Sequence, residues 1–114
     1  MPKAEDVVRL RHMLDAVSKT LELTESCNRN DLDKDEKLAL ALIRLLEVLG
    51  EAARGVSDHC RQIYPKIPWR QIAGTRDRLI HGYFDVDLDI VWKIISTDLP
   101  PLVLQLETTL SDQK

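Results

Sequence analysis

The segment Leu38-Ala39-Leu40-Ala41-Leu42-Ile43, continued by Leu45-Leu46 and Val48-Leu49, constrains the fold more than any other. At helical pitch its apolar side chains point almost all round the axis, so water must be kept from more than one side of it. Such a helix belongs inside a bundle. A small bundle covers only part of it, and the surplus face predicts a homodimer; the alternative is that the remaining helices of the same chain suffice. The acidic run from Asp31 to Glu36 suits the amino end of this helix.

The rest of the chain supplies the covering helices. From Ala4 to about Leu23 the residues Val7, Leu10, Leu14, Val17 and Leu21 recur at intervals of three and four, an amphipathic stripe that Ser26 to Asn30 breaks. Gly55 and Ser57 end the apolar helix. Ser57-Asp58 predicts the cap of a short helix through Ile63, which Pro65 stops. Pro68 opens a helix expected to run to about Tyr83. Asp85 or Asp87 is expected to cap the last helix, with Leu88, Val91, Ile94, Ile95 and Leu99 inward. Pro100-Pro101 should kink or interrupt it before Leu102, Leu106 and Leu110. Trp69 and Trp92 sit beside helical apolar positions and are assigned to packing. No strand alternation or hairpin turn is visible. The predicted fold is all-α, an up-and-down bundle of four to five helices forming a single domain over residues 1–114.

Charge narrows the functional classes. A formal charge of −3 over 114 residues argues against a protein that coats nucleic acid non-specifically. Between Lys66 and His81, however, Lys66, Arg70, Arg76 and Arg78 are opposed by Asp77 alone, so an anion has a local place to dock. Cys27 and Cys60 lie far apart without metal spacing, and His12 and His59 lack acidic or cysteine company at ligand spacing. Neither a disulfide framework, a metal site nor a cofactor is expected. No apolar run is long enough for a bilayer and no leader pattern opens the chain, so a cytoplasmic location is expected. Glycine-rich phosphate loops, paired-histidine zinc motifs and nucleophilic serine elbows are missing.

The chemistry concentrates in Arg76-Asp77-Arg78-Leu79-Ile80-His81-Gly82-Tyr83. A histidine exchanges protons near neutral pH, and an arginine holds a phosphate through two parallel bonds while stabilising charge that builds on phosphorus. A tyrosine stacks on a base, bonds a phosphate or carries an added group. On one continuous helix Asp77 and His81 share a face, and Arg76 and Tyr83 share another. Arg76 and His81 then stand about 140° apart around the axis, a gap that a second chain would close. Plainer readings are a salt bridge from Arg76 to Glu47 or Glu51, a solvated Arg78, a half-buried Tyr83 and a His81 bonded to a neighbour.

These residues resemble the HEPN superfamily, and within it the HepT-like toxins of prokaryotic toxin–antitoxin pairs. The R-x4-H-x-Y signature stands as Arg76, His81 and Tyr83, with Asp77 at the polar position after the arginine. The words Ile67-Pro68-Trp69-Arg70-Gln71-Ile72-Ala73, Gly50-Glu51-Ala52-Ala53, Val86-Asp87, Trp92 and Asp98-Leu99-Pro100 extend the likeness over nearly the whole chain. The resemblance implies a metal-independent endoribonuclease, a homodimer whose two motif helices face each other across a cleft that admits RNA. It implies His81 as general base or acid, Arg76 on the transition-state charge and Asp77 orienting His81. It further implies a minimal nucleotidyltransferase antitoxin that transfers AMP to Tyr83. A reading of another class stays open: a non-catalytic nucleotide-binding helical adaptor of such a nucleotidyltransferase, whose Arg, His and Tyr bind an anion without cutting. A third is a structural dimer whose motif residues only form a salt-bridged interface.

Overall fold

The stripe at the amino end forms α1 (Ala4–Thr24) in the computed structural model, which describes residues 3–81 and 85–112, with Ile80 and His81 given by their backbone alone. Leu10, Met13, Ala16 and Val17 are buried along it, together with Thr20 and Thr24. The two threonine hydroxyls donate back to the carbonyls of Ala16 (2.7 Å) and Thr20 (2.9 Å), so burial leaves neither without a partner.

The acidic run divides between two helices. Asn28 and Asp31 cap α2 (Arg29–Lys34) reciprocally: the Asn28 side chain accepts the Asp31 N–H at 3.2 Å, and the Asp31 carboxylate accepts the Asn28 N–H at 2.7 Å. Asp35 then caps α3 (Glu36–Arg54), accepting the Leu38 N–H at 3.1 Å. Ser57 starts α4 (Asp58–Ile63) as expected, its Oγ accepting the Cys60 N–H at 3.2 Å.

The helix expected from Pro68 to Tyr83 is not continuous. It comprises α5 (Trp69–Ala73) and α6 (Thr75–Leu79), followed by β1 (Ile80–His81), which pairs antiparallel with β2 (Asp85–Val86) so that His81 lies opposite Asp85. Gly74 closes α5, its N–H reaching the Arg70 carbonyl at 3.0 Å. At the other end the Leu79 carbonyl accepts the Asp87 N–H at 2.8 Å instead of continuing the helical ladder. Asp87 is held there because its side chain caps α7 (Leu88–Lys93) through the N–H groups of Asp89 (2.9 Å) and Ile90 (3.2 Å). The short pairing corrects the expectation that no strand occurs, and Tyr83 lies outside the described residues.

After α7 comes a π-helical turn (Ile94–Asp98) and then α8 (Leu99–Ser111). Pro100 and Pro101 fall in the first turn of α8, where a backbone N–H is dispensable, so they neither kink nor stop it. The irregularity is the wider turn just upstream. Helix α3 is the centre of the all-α bundle, packed by α1 on one side and by α2, α5, α6 and α7 elsewhere. Its Leu42, Leu46 and Leu49 meet Leu10, Met13 and Val17 of α1 and Val91, Ile94, Leu99 and Leu106 of the carboxyl-terminal rod in one core, to which Trp69 belongs and against which Trp92 packs. The chain's own helices thus cover most of α3, but Leu40 stays 58% exposed. Among the described residues no helix is long and apolar enough to cross a membrane.

One buried charge ties the bundle across its end. Asp6, in the first turn of α1, accepts the Ser57 N–H at 2.8 Å and the Ser57 hydroxyl at 2.7 Å. Burial works to raise its pKa, but the two Ser57 bonds, with help from Lys3, outweigh burial and hold the carboxyl below its ordinary value. A lowered carboxyl pKa stabilises the fold above the unfolded-state value, and that contribution is lost as pH falls through the folded value. Asp6→Asn is therefore expected to lower unfolding free energy by about 1–2 kcal/mol at pH 7. In denaturant titrations repeated towards pH 3 the difference from the unmutated protein should shrink.

Candidate active site

The site is built on a close backbone approach. The α5–α6 junction lies directly over Gly50 of α3, where a Cβ would come 3.2 Å from the Ile72 carbonyl oxygen and 3.7 Å from Cβ of Thr75. Thr75 is buried, and its hydroxyl donates to the same Ile72 carbonyl at 2.6 Å, closing the junction upon itself. Any side chain there would require the Ile72 carbonyl to give by a few tenths of an ångström, so glycine lets α6 sit this near to α3 without that shift.

That seating lays the first residues of α6 along a charged stripe of α3. Arg44, Glu47, Glu51 and Arg54 recur at spacings of three and four and so share one face. Arg76 Nε stands 4.0 Å from Glu47, Asp77 stands 4.0 Å from Nη2 of Arg54, and Arg44 stands 3.9 Å from Glu51. Arg54 is further anchored by its Nε–H, which donates to the Ala73 carbonyl at 2.9 Å. The Arg76 and Asp77 side chains are 66% and 84% exposed, and Glu47 is 25% exposed. Pairs this long and this open contribute about 0–1 kcal/mol each, so an incoming phosphate can displace them.

The structure thus gives Arg76 the Glu47 partner weighed from sequence and corrects two other expectations. Arg78 is not solvated: it turns away from the seam and donates to Asp98 at 3.3 Å, where Gln71 also donates at 3.2 Å. Because α6 stops at Leu79, the shared helical face of Asp77 and His81, and the angle expected between Arg76 and His81, do not apply. His81 follows on β1, its side chain outside the described residues, as is Tyr83. Arg54 was missed by sequence reasoning, although its regular spacing from Glu47 and Glu51 was a readable signal. An apolar hollow of about 400 Å³ between the α4–α5 linker and α8 is lined by Ile63, Pro65, Ile67 and Leu104 among others and contains none of these residues.

Compared with known proteins, residues 13–109 match the family model described as ribonuclease HepT-like. The chain belongs to the HepT-like ribonuclease family. It is 39% identical over 93 residues to a Thermococcus cleftensis protein named as a probable ribonuclease HepT, covering 78% of this HepT-like chain and 84% of that one. A Caldanaerobacter subterraneus protein provisionally named an RNase is 36% identical over 105 residues, covering 92% and 94% of the two chains. A Methanocaldococcus jannaschii protein with a similarly provisional RNase name is 32% identical over 107 residues, covering 94% and 98%. No solved structure gives a significant match. The matched span of the HepT-like model takes in α3, α5, α6 and both short strands, hence the whole seam.

If the site depends on the approach at Gly50, a branched side chain there must push α6 off α3. Gly50→Val is expected to cost about 1–3 kcal/mol in chemical denaturation, through overpacking against backbone that has no flexible end to yield.

Proposed function

We propose that this HepT-like chain is the toxin of a prokaryotic toxin–antitoxin pair, a metal-independent endoribonuclease that acts as a single-domain homodimer in the cytoplasm. The observation that carries the reading is the loosely paired, exposed Arg76 on α6, just before the helix hands over to the strand bearing His81, in a chain of a ribonuclease family. In the proposed reaction the ribose 2′-hydroxyl beside the scissile phosphate attacks phosphorus. The bond to the 5′-oxygen of the next nucleotide breaks, leaving a cyclic phosphate. His81 takes the hydroxyl proton or delivers one to the leaving oxygen, and Arg76 neutralises the charge on the pentacoordinate phosphorus. Asp77 completes the catalytic set as the carboxylate assigned to orient His81.

What supports a dimer is the face of α3 that its own chain leaves open. There Leu45 and Val48 form, with His12, Asp15, Ala16 and Lys19 of α1, a groove of about 370 Å³. Two protomers would double the arginines available to RNA. The antitoxin in this reading is a minimal nucleotidyltransferase that adds AMP to Tyr83, whose added bulk and negative charge would oppose RNA binding.

Two measurements test the reading. Labelled RNA incubated in excess EDTA should be cut by the unmutated protein to cyclic-phosphate ends, and His81→Ala should lower the rate by at least about a hundredfold while remaining folded. Undiminished cleavage by that variant would remove His81 from the site; no cleavage by the unmutated dimer on several RNAs would favour the nucleotide-binding adaptor. After co-expression with a neighbouring nucleotidyltransferase, intact-mass analysis should show added AMP that disappears in Tyr83→Phe.

A further inference from the structure

Resting on the ribonuclease reading, we propose that Arg54 of α3 is a substrate-binding residue whose guanidinium takes an RNA phosphate neighbouring the one at Arg76. Its Nε–H is committed to the Ala73 carbonyl at 2.9 Å, which fixes the plane of the fork and directs the remaining N–H groups towards the seam. The side chain is nevertheless 59% exposed. The carboxylate it faces, Asp77 at 4.0 Å, is too distant and too open to compete with the two oxygens of a phosphate.

Spacing points to a strand rather than to a small anion. Arg76 pairs with Glu47 and Arg54 lies seven residues further along the same face of α3, so the two guanidinium sites are on the order of 10 Å apart along that helix. They line an open seam instead of converging on one point, and neither belongs to the hollows of about 400 and 370 Å³ found among the described residues. A flexible single strand satisfies such a pair with successive phosphates; a lone phosphate reaches one of them. The seam carries no positive surplus, since Arg44, Arg54 and Arg76 are matched by Glu51, Asp77 and Glu47, so RNA is held there by exchanging loose ion pairs for its own phosphates.

The test is binding of a fluorescent single-stranded RNA by anisotropy over a salt series, in a His81→Ala background so that nothing is cut. Arg54→Ala should weaken binding about five- to tenfold and make the slope of log affinity against log salt shallower by about 0.7, the change expected when one phosphate fewer is neutralised. Asp77→Asn should act in the opposite sense and tighten binding, because it removes a competitor of the phosphate. Equal losses in both variants would mean that the pair only buttresses α5 and α6, and would overturn the proposal. So would an unchanged slope and affinity for Arg54→Ala, which would leave the ribonuclease reading standing. If Arg54→Ala does not fold, Arg54→Lys keeps the charge but not the fork, and should retain the slope while binding more weakly. Failure of the His81→Ala parent itself to bind RNA would overturn the ribonuclease reading along with this one.

Discussion

The contact between Gly50 and the Ile72 carbonyl sets how near α6 comes to α3, and most of what is distinctive about the molecule depends on it. Backbone against backbone is the closest approach two helical segments can make, and it is rigid, because neither side has a rotamer to change. Everything flanking that contact is consequently brought into register. Glu47 on one side meets Arg76, Arg54 on the other meets Asp77 and the Ala73 carbonyl, and Leu46 and Leu49 beneath remain sealed in the core. A burial constraint thereby becomes an electrostatic arrangement.

Charge on this seam is balanced in number yet unbalanced in strength. The acidic partners stand at the limit of ion-pair range, Glu51 and Asp77 in solvent and Glu47 half-buried, where attraction is weak and salt weakens it further. By contrast, the buried Asp6 takes two short bonds from Ser57, and Arg78 and Gln71 converge on a half-buried Asp98. The molecule uses its well-formed polar bonds to fix elements and leaves the seam loosely held. That division suits a surface whose ion pairs must be exchanged for those of a polyanion.

Much of the architecture was legible because helical periodicity reports burial directly. The Ser57 and Asp87 caps, Leu10 and Val17 of α1 and the inward residues of the carboxyl-terminal rod stand where spacing predicts them, whereas α3, expected to be apolar almost all round, carries the charged stripe of Arg44, Glu47, Glu51 and Arg54 on one face. The misreading came at residues 68–83, where local pattern and tertiary context disagree. Arg76 to Leu79 reads as a continuing helix, and nothing in its own composition announces that the Leu79 carbonyl is claimed by Asp87, eight residues downstream. Helical angles carried across that point lose their meaning. Spacing put Arg54 on one face with Glu47 and Glu51, but its meeting with Asp77 and the Ala73 carbonyl depends on how α5 and α6 cross α3, and crossing geometry is not written in either segment alone. The signature, conversely, pointed to the family before any crossing was known, and that assignment agrees with the match over residues 13–109.

The π-helical turn at Ile94–Asp98 gives the carboxyl-terminal rod a phase it would otherwise lack. A π turn is an α-helix holding one residue too many, and each residue added or removed rotates the downstream helix by about 100°. Before the turn Val91 faces the core, and after it Leu99, Leu102 and Leu106 do, while Asp98 at the boundary is aimed at Gln71 and Arg78. Length here is therefore quantised. A lineage that lost the exposed Ser96 or Thr97 would regain regular pitch, but would have to choose between keeping the α8 leucines buried and keeping Asp98 in reach of Gln71 and Arg78.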